Sequence, residues 1–328
     1  MTEMASNPSN PLVEVRGLSK VFGEGKQRVN AVKEVSFSVA KGETLGLVGE
    51  SGSGKSTIGR VMLRLIESTS GQVLYRGEDV GRATSGRMRE LRRKLQIIFQ
   101  DPYASLNPRM RVGDILGEAL RVHGLAPGAK AQASRVAQLL DLVGLRPEHA
   151  DRYPHEFSGG QRQRLAIARC LATKPELIIA DEIVSALDVS IQAQIVNLLL
   201  KIQRETGLSF IFVTHDVAVA RYVGHRVAVM YLGNVVEILP AESLPEAAEH
   251  PYTIALLSAV PSMNPKVKDE RVALQGEVPS PIDMPSGCAF STRCPSVMDI
   301  CRTERPVLKI SNISKGDHQV ACHLNKGA

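Results

Sequence analysis

The stretch Gly49-Glu50-Ser51-Gly52-Ser53-Gly54-Lys55-Ser56-Thr57 fits G-x-x-x-x-G-K-[ST], a spacing whose chemistry is the cradling of phosphate. Glycines at 49, 52 and 54 carry no Cβ, so the backbone there can take positive φ and turn N–H groups inward on an anion. Lys55 adds a full positive charge, and Ser56 offers a hydroxyl to a magnesium ion. The helix expected from about Gly54 points its positive end at the same place. A nucleoside triphosphate with magnesium is the ligand this pattern implies. Thr44 to Val48 reads as a short apolar strand, and Ile58, Val61, Met62 and Leu65 recur at helical spacing. Strand, glycine loop and helix therefore stand in the order a phosphate cradle needs.

Three further polar groups close apolar runs. Leu95 to Phe99 stops at Gln100, Leu177 to Ala180 stops at Asp181-Glu182, and Ser209 to Val213 stops at Thr214-His215. Ligands of open α/β sheets bind outside the carboxyl ends of parallel strands, so these residues are expected to converge on one nucleotide with the glycine loop. Asp181 offers hard carboxylate oxygen to magnesium beside Ser56. Glu182 is placed to orient, or take a proton from, the water attacking the γ-phosphate. His215 can donate to that phosphate, and Gln100 can reach the magnesium or the water. Each has a plainer reading: an acid pair can cap a helix, and a lone His or Gln at a strand end is usually a satisfied polar residue. The glycine loop elsewhere in the chain favours catalysis for the acid pair.

A second anion-binding end is written at Phe157-Ser158-Gly159-Gly160-Gln161, directly before a helix rich in arginine and alanine. Ser158 suits an N-cap, and the two glycines leave N–H groups exposed at a positive helix end. Two phosphate-binding ends in one chain, about a hundred residues apart, need not come from the same molecule to serve one nucleotide.

The elements that must position these groups follow from periodicity. Residues 12–18 and 32–39 alternate as half-buried antiparallel strands, with Phe22 at the turn between them, and 71–75 reads as another strand. From 101 to about 172 the pattern changes to helices near 112–122, 130–143 and 161–171, a helical insert in an α/β core. A helix at 191–204 and strands at 226–231 and 234–238 complete the core. The 328 residues carry a net charge of +6, but the positive charge is scattered. Its densest run, Arg87 to Lys94, reads as the solvated face of a helix rather than a nucleic-acid patch. No apolar run reaches the roughly eighteen residues a membrane span requires, and Met1 to Asn10 lacks a signal-peptide core, so a soluble, cytoplasmic chain is expected.

Taken together, GESGSGKST at 49–57, Gln100, FSGGQ at 157–161, LIIADE at 177–182, SALD at 185–188 and His215 resemble the nucleotide-binding subunit of an ABC transporter over about residues 12–240. The resemblance implies an α/β P-loop NTPase cassette with an N-terminal antiparallel β subdomain and a helical insert. It implies that two subunits sandwich two ATP molecules, each held by the loop of one and the Ser158, Gly159, Gly160 and Gln161 segment of the other. Asp188 would lie at that interface and Phe22 would stack on adenine. Lys55, Ser56, Gln100, Asp181, Glu182 and His215 would take the roles argued above. Two departures stand out: Phe157 where the family usually has Leu, and Ile183 where Pro commonly follows the acid pair. The second raises the expectation of a less rigid turn under Glu182 and slower turnover.

The tail resembles that of oligopeptide/dipeptide importer ATPases: HPYT at 250–253, ALLSAVP at 255–261, GEVPSP at 276–281, GCAF at 287–290 and RCP at 293–295, together with QDPYASLNPRM at 100–110. A cassette over 12–260 and a C-terminal extension over 261–328 are the expected domains. The resemblance implies two membrane permease subunits as partners, docking on the segment after Gln100. It also implies a second, usually sibling, ATPase, a solute-binding protein across the membrane, no nucleic acid, and a peripheral position on the cytoplasmic face of the plasma membrane. The rival reading is a soluble ABC ATPase that clamps nucleic acid or ribosomes, and a third is an ATP binder with little turnover. Cys288, Cys294, Cys301 and Cys322 lie in a segment too poor in apolar residues for a good core of its own. Four thiolates there suit a [4Fe–4S] cluster or, as the alternative, zinc, with His318 and His323 nearby. Four merely buried thiols remain open. Cys170 reads as a small core residue.

Overall fold

A computed structural model describes residues 10–259, 279–313 and 317–325. Val260, Pro261 and Gly276-Glu277-Val278, which carry part of the tail motifs, lie outside the described residues, as does the expected start of the extension. The chain divides into two compact units, Met1–Arg82 with Phe212–Ala328, and Ala83–Ile211.

In the first unit the strand Val13–Phe22 pairs antiparallel with Val29–Val39 and with Ser70–Tyr75, which continues to Glu78–Asp79. Val13, Val15, Leu18, Val32, Val35, Phe37 and Val39 are buried, which is the alternation expected of a half-buried antiparallel sheet. The first strand runs on to Phe22, because register irregularities absorb Gly17 at φ 53° without ending the pairing. Gly71 must be glycine there: at φ 84°, a Cβ would sit 2.3 Å from the Gly17 carbonyl oxygen.

The cradle strand Thr44–Val48 belongs to a second sheet and is buried at every position, as a strand covered on both faces must be. It lies parallel to Arg226–Tyr231, with Leu45 opposite Arg226 and Val48 opposite Val229. Arg226–Tyr231 turns back into Asn234–Pro240, and two short tail strands, Gln319–Val320 and Lys309–Ile310, extend that edge. The tail is thus part of the sheet. Phe290 is fully buried, and its ring centroid lies 5.2 Å from Tyr231 and 5.4 Å from Tyr252.

The second unit carries the helices Ser85–Lys94, Val112–Val122, Ala129–Leu142, Gly159–Ala172 and Val189–Thr206, and the parallel pair Leu95–Ile98 and Leu177–Asp181. Only Met88 and Leu91 of the basic helix are buried, so its arginines form a solvated face. The helix after the Ser-Gly-Gly stretch begins at Gly159 because Ser158 caps it. The Ser158 hydroxyl accepts from the Gln161 N–H, and the Gln161 side chain accepts from the Ser158 N–H.

Candidate functional site

The phosphate loop lies in the first unit. Gly49, Gly52 and Gly54 have φ of 156°, 77° and 100°. A Cβ at 49 would stand 2.2 Å from the Met230 carbonyl oxygen, and one at 54 would stand 2.1 Å from that of Ala31. The loop is therefore pressed against neighbouring backbone, and bare glycine is a steric requirement. Gly52 has open space at its Cβ and lies exposed beside Ser51. Ser53 is buried, and its carbonyl accepts from the Gly233 N–H at 2.9 Å. Lys55 is 3 % exposed, and its ammonium donates to the Gly49 and Glu50 carbonyls at 2.9 Å each. That charge is pinned beneath the loop rather than swinging in water. Ser56 and Thr57 follow in the first turn of the helix Lys55–Met62, whose start carries no side-chain cap. Such a helix end with a buried lysine beside it fits a triphosphate, and ATP with Mg2+ fits the donor set. Phe22 ends its strand 38 % exposed, with the Lys20 ammonium 4.9 Å from its ring centroid. His215 is exposed after the strand Ser209–Thr214, and Asp216 caps the next helix by accepting from the Ala218 and Val219 N–H groups.

The second unit holds the acid pair and the Ser-Gly-Gly end. Parallel pairing sets Ile98 opposite Ala180, so both strands release their next polar residues at the same end. Asp181 is buried at the strand terminus. The Gln100 side-chain amide donates to the Glu182 carboxylate at 3.3 Å, joining two residues that sequence alone left at separate strand ends. Glu182 has φ 48°, a left-handed conformation that a side chain pays for. The turn is closed from Ser185, whose N–H and hydroxyl both donate to the Glu182 carbonyl, at 3.2 and 2.8 Å. Ile183 is 2 % exposed and packs inward. Ser185 and the buried Ile183 side chain are thus what hold the turn in the absence of a proline ring. Asp188 is exposed at the N-cap of Val189–Thr206 and accepts nothing there through its side chain. Ser158 stands exposed, with Gly159, Gly160 and Gln161 partly so.

Sequence reasoning missed Arg162. Its guanidinium is buried, donates to the Pro154 and His155 carbonyls at 2.7 and 3.1 Å, and lies 3.9 Å from the Tyr103 ring centroid. It ties the segment after Gln100 to the Ser-Gly-Gly helix. The only signal was an arginine one residue past the glycine cap.

Of the cysteines, Cys170 is buried and its thiol, pushed up to about 12 by burial, donates to the Ile97 carbonyl. It is the core residue expected. Burial, reinforced by the neighbouring thiols, raises Cys288 to about 11 and raises Cys294 and Cys322 as well. Among the described residues, however, no group of three or more His, Cys, Asp or Glu stands in an arrangement that could hold a metal ion. The expected [4Fe–4S] or zinc site is not supported by this geometry.

A sterically enforced glycine cradle with a buried lysine, a carboxylate-ended strand and a serine-capped Gly-Gly helix together define an ATP-binding cassette. Residues 32–185 match the family described as ABC transporter, and residues 236–301 match that described as oligopeptide/dipeptide transporter, C-terminal region. YkfD of Bacillus subtilis is 51% identical over 321 residues, covering 97% of this chain and 97% of YkfD. The oligopeptide transport ATP-binding protein AppF of Bacillus subtilis is 47% identical over 331 residues, covering 98% of this chain and 99% of AppF. A dimeric ATP-binding cassette, MJ0796, in a post-hydrolysis state bound to ADP and Pi, superposes with TM-score 0.63 at 29% identity over 70% of this chain and 99% of MJ0796. CbiO1 of Clostridium perfringens, part of an ABC transporter complex, does so with TM-score 0.64 at 26% identity over 72% and 90%. This chain belongs to the ABC transporter ATP-binding proteins, in the branch that carries the oligopeptide/dipeptide C-terminal region, and it is an ATPase.

Proposed function

We propose that this chain hydrolyses ATP to power import of peptides or related small solutes through a membrane ABC transporter. Similarity extending over nearly its whole length to an oligopeptide transport ATP-binding protein, tail included, carries this reading. On it, two permease subunits dock on residues 100–110, a second and related ATPase completes the pair, and a solute-binding protein delivers cargo from the far side. The chain then works at the cytoplasmic face of the plasma membrane. No helix among the described residues is long and apolar enough to cross that membrane. Nucleic acid has no part in the reading, and no observation favours a nucleic-acid clamp.

In the cassette over 12–260, Gly49 and Ser51 to Thr57 bind the phosphates and Phe22 stacks on adenine. Ser56, Asp181 and Gln100 serve magnesium, and Glu182 prepares the water with His215 at the γ-phosphate. Ser158 to Gln161 and Asp188 act across the pair on the partner's nucleotide. The Gln100–Glu182 hydrogen bond supports a turnover-competent site, since it couples the magnesium side to the base. The extension over 261–328 holds the four cysteines as a candidate [4Fe–4S] or zinc site. That reading rests on residue type alone, and elemental analysis of anaerobically purified chain tests it. Co-expression with candidate permeases tests the main reading: peptide-loaded binding protein should raise ATP hydrolysis several-fold in the assembled complex. A complex whose hydrolysis ignores peptides and related small solutes alike would overturn it.

A further inference from the structure

The phosphate loop is gripped from the tail. The Glu50 carboxylate, one residue after Gly49, is met by the Arg293 guanidinium, whose Nη1 stands 3.2 and 3.1 Å from its two oxygens. The Glu50 N–H donates to the Tyr252 hydroxyl at 3.0 Å. Both partners are held in place from behind. Tyr252 is fully buried with its ring centroid 4.7 Å from Tyr231, and burial raises its hydroxyl, which keeps it protonated. The Arg293 side chain is 8 % exposed and its guanidinium carbon lies 5.9 Å from the Tyr231 ring centroid, while the residue's backbone N–H donates to the carbonyl of buried Phe290 at 3.0 Å. The turn that presents Arg293 runs between Cys288 and Cys294 and is pinned by the Cys288 N–H donating to the Cys301 carbonyl at 2.8 Å. These residues all belong to the first unit.

The electrostatic problem being solved is specific to this loop. A carboxylate at the rim of a cradle built for a polyanion repels its ligand, and the repulsion is strong where solvent is partly excluded. A buried arginine bound to both carboxylate oxygens neutralises that charge and fixes its direction. We infer that Arg293, with Tyr252 beside it, is a positioning residue for ATP. It neutralises and immobilises Glu50, so the tail sets the affinity of the phosphate loop without touching the nucleotide. Where a tail serves only to extend a sheet, no charged side chain needs to reach the loop.

The test is a two-by-two series on the full chain, with Arg293→Ala, Glu50→Gln and the double variant. KM and kcat for Mg-ATP are measured, with affinity for a fluorescent ATP analogue as a second readout. Arg293→Ala should raise KM about fivefold with kcat within about twofold, and in the Glu50→Gln background the same change should alter KM by less than about twofold. Arg293→Lys should recover only part of the loss, since it keeps the charge but not the guanidinium set beside the Tyr231 ring. An equal rise in KM in both backgrounds, or no rise with Glu50 intact, overturns the inference. Such a result would leave the import reading standing, because that reading depends on the permeases and the peptide response. Tyr252→Phe supplies an independent check: a modest rise in KM supports the clamp, and an unchanged KM limits it to Arg293.

Discussion

Glu182 is the base of the proposed function. It sits in a left-handed turn closed by Ser185, with its carboxylate bound to Gln100. Replacing it with Gln keeps an acceptor for the Gln100 amide but removes the carboxylate that the proposed function uses as base. Glu182→Gln should cut phosphate release at least about 100-fold in single-turnover assays while ATP binding survives. His250 is a different kind of residue. It is buried, its imidazole accepts from the Tyr252 N–H, and burial lowers it to about 4, outweighing Glu237, which pulls it up. The folded state thus resists a proton that the unfolded chain takes near the ordinary value of 6.5. The His250 contribution to stability is intact above that value and is lost as pH falls toward 4, by up to roughly 3 kcal/mol. Urea titrations between pH 7 and 4.5 should show that slope, and His250→Asn, which retains a capping acceptor, should flatten it.

At the scale of elements, the informative contacts tie loops to helix ends. Arg162 joins the segment after Gln100 to the Ser158-capped helix through two carbonyls and the Tyr103 ring. Arg162→Ala removes a cation–π contact and two charge-assisted hydrogen bonds from a buried site. It should lower unfolding free energy by about 2–3 kcal/mol in denaturant titrations. Lysine should rescue little of it, because only a planar fork reaches both carbonyls and the ring together. The cradle helix is equally exacting at its start: Gly54→Ala would drive a Cβ into the Ala31 carbonyl at φ 100°. That variant should lose several degrees of melting temperature together with nucleotide binding.

For the whole molecule, the proposed function assigns the Ser-Gly-Gly end to a nucleotide that a second subunit brings. Gly159 is the place to test this, because a Cβ there meets only Leu187 Cδ2, at an ordinary 3.7 Å. The Glu182→Gln chain with Mg-ATP should elute as a dimer in light-scattering chromatography. Adding Gly159→Asp should leave a folded monomer, since it sets a carboxylate against the neighbour's triphosphate. If the physiological partner is a sibling chain, the dimer forms on mixing the two.

The sequence by itself marked the cradle, the acid pair, the glycine cap and the main strands and helices up to residue 238, because each is written in local spacing, but not the helices Val217–Val223 and Pro251–Ser258 or the short tail strands. Glycines sit where φ is positive, apolar residues sit at the period of their element, and a serine stands three residues before its glutamine. Tertiary structure alone decided what those local signals cannot carry. Glu50 and Arg293 meet across 243 residues, and His318 and Glu237 across 81. Nothing in residue type or spacing marks such pairs, since each member looks like an ordinary polar surface residue until a buried tail and a parallel sheet bring it to its partner. The four cysteines show the same limit from the other side. Their types suggested a ligand set, but a ligand set exists only where backbone geometry brings the thiols to one point.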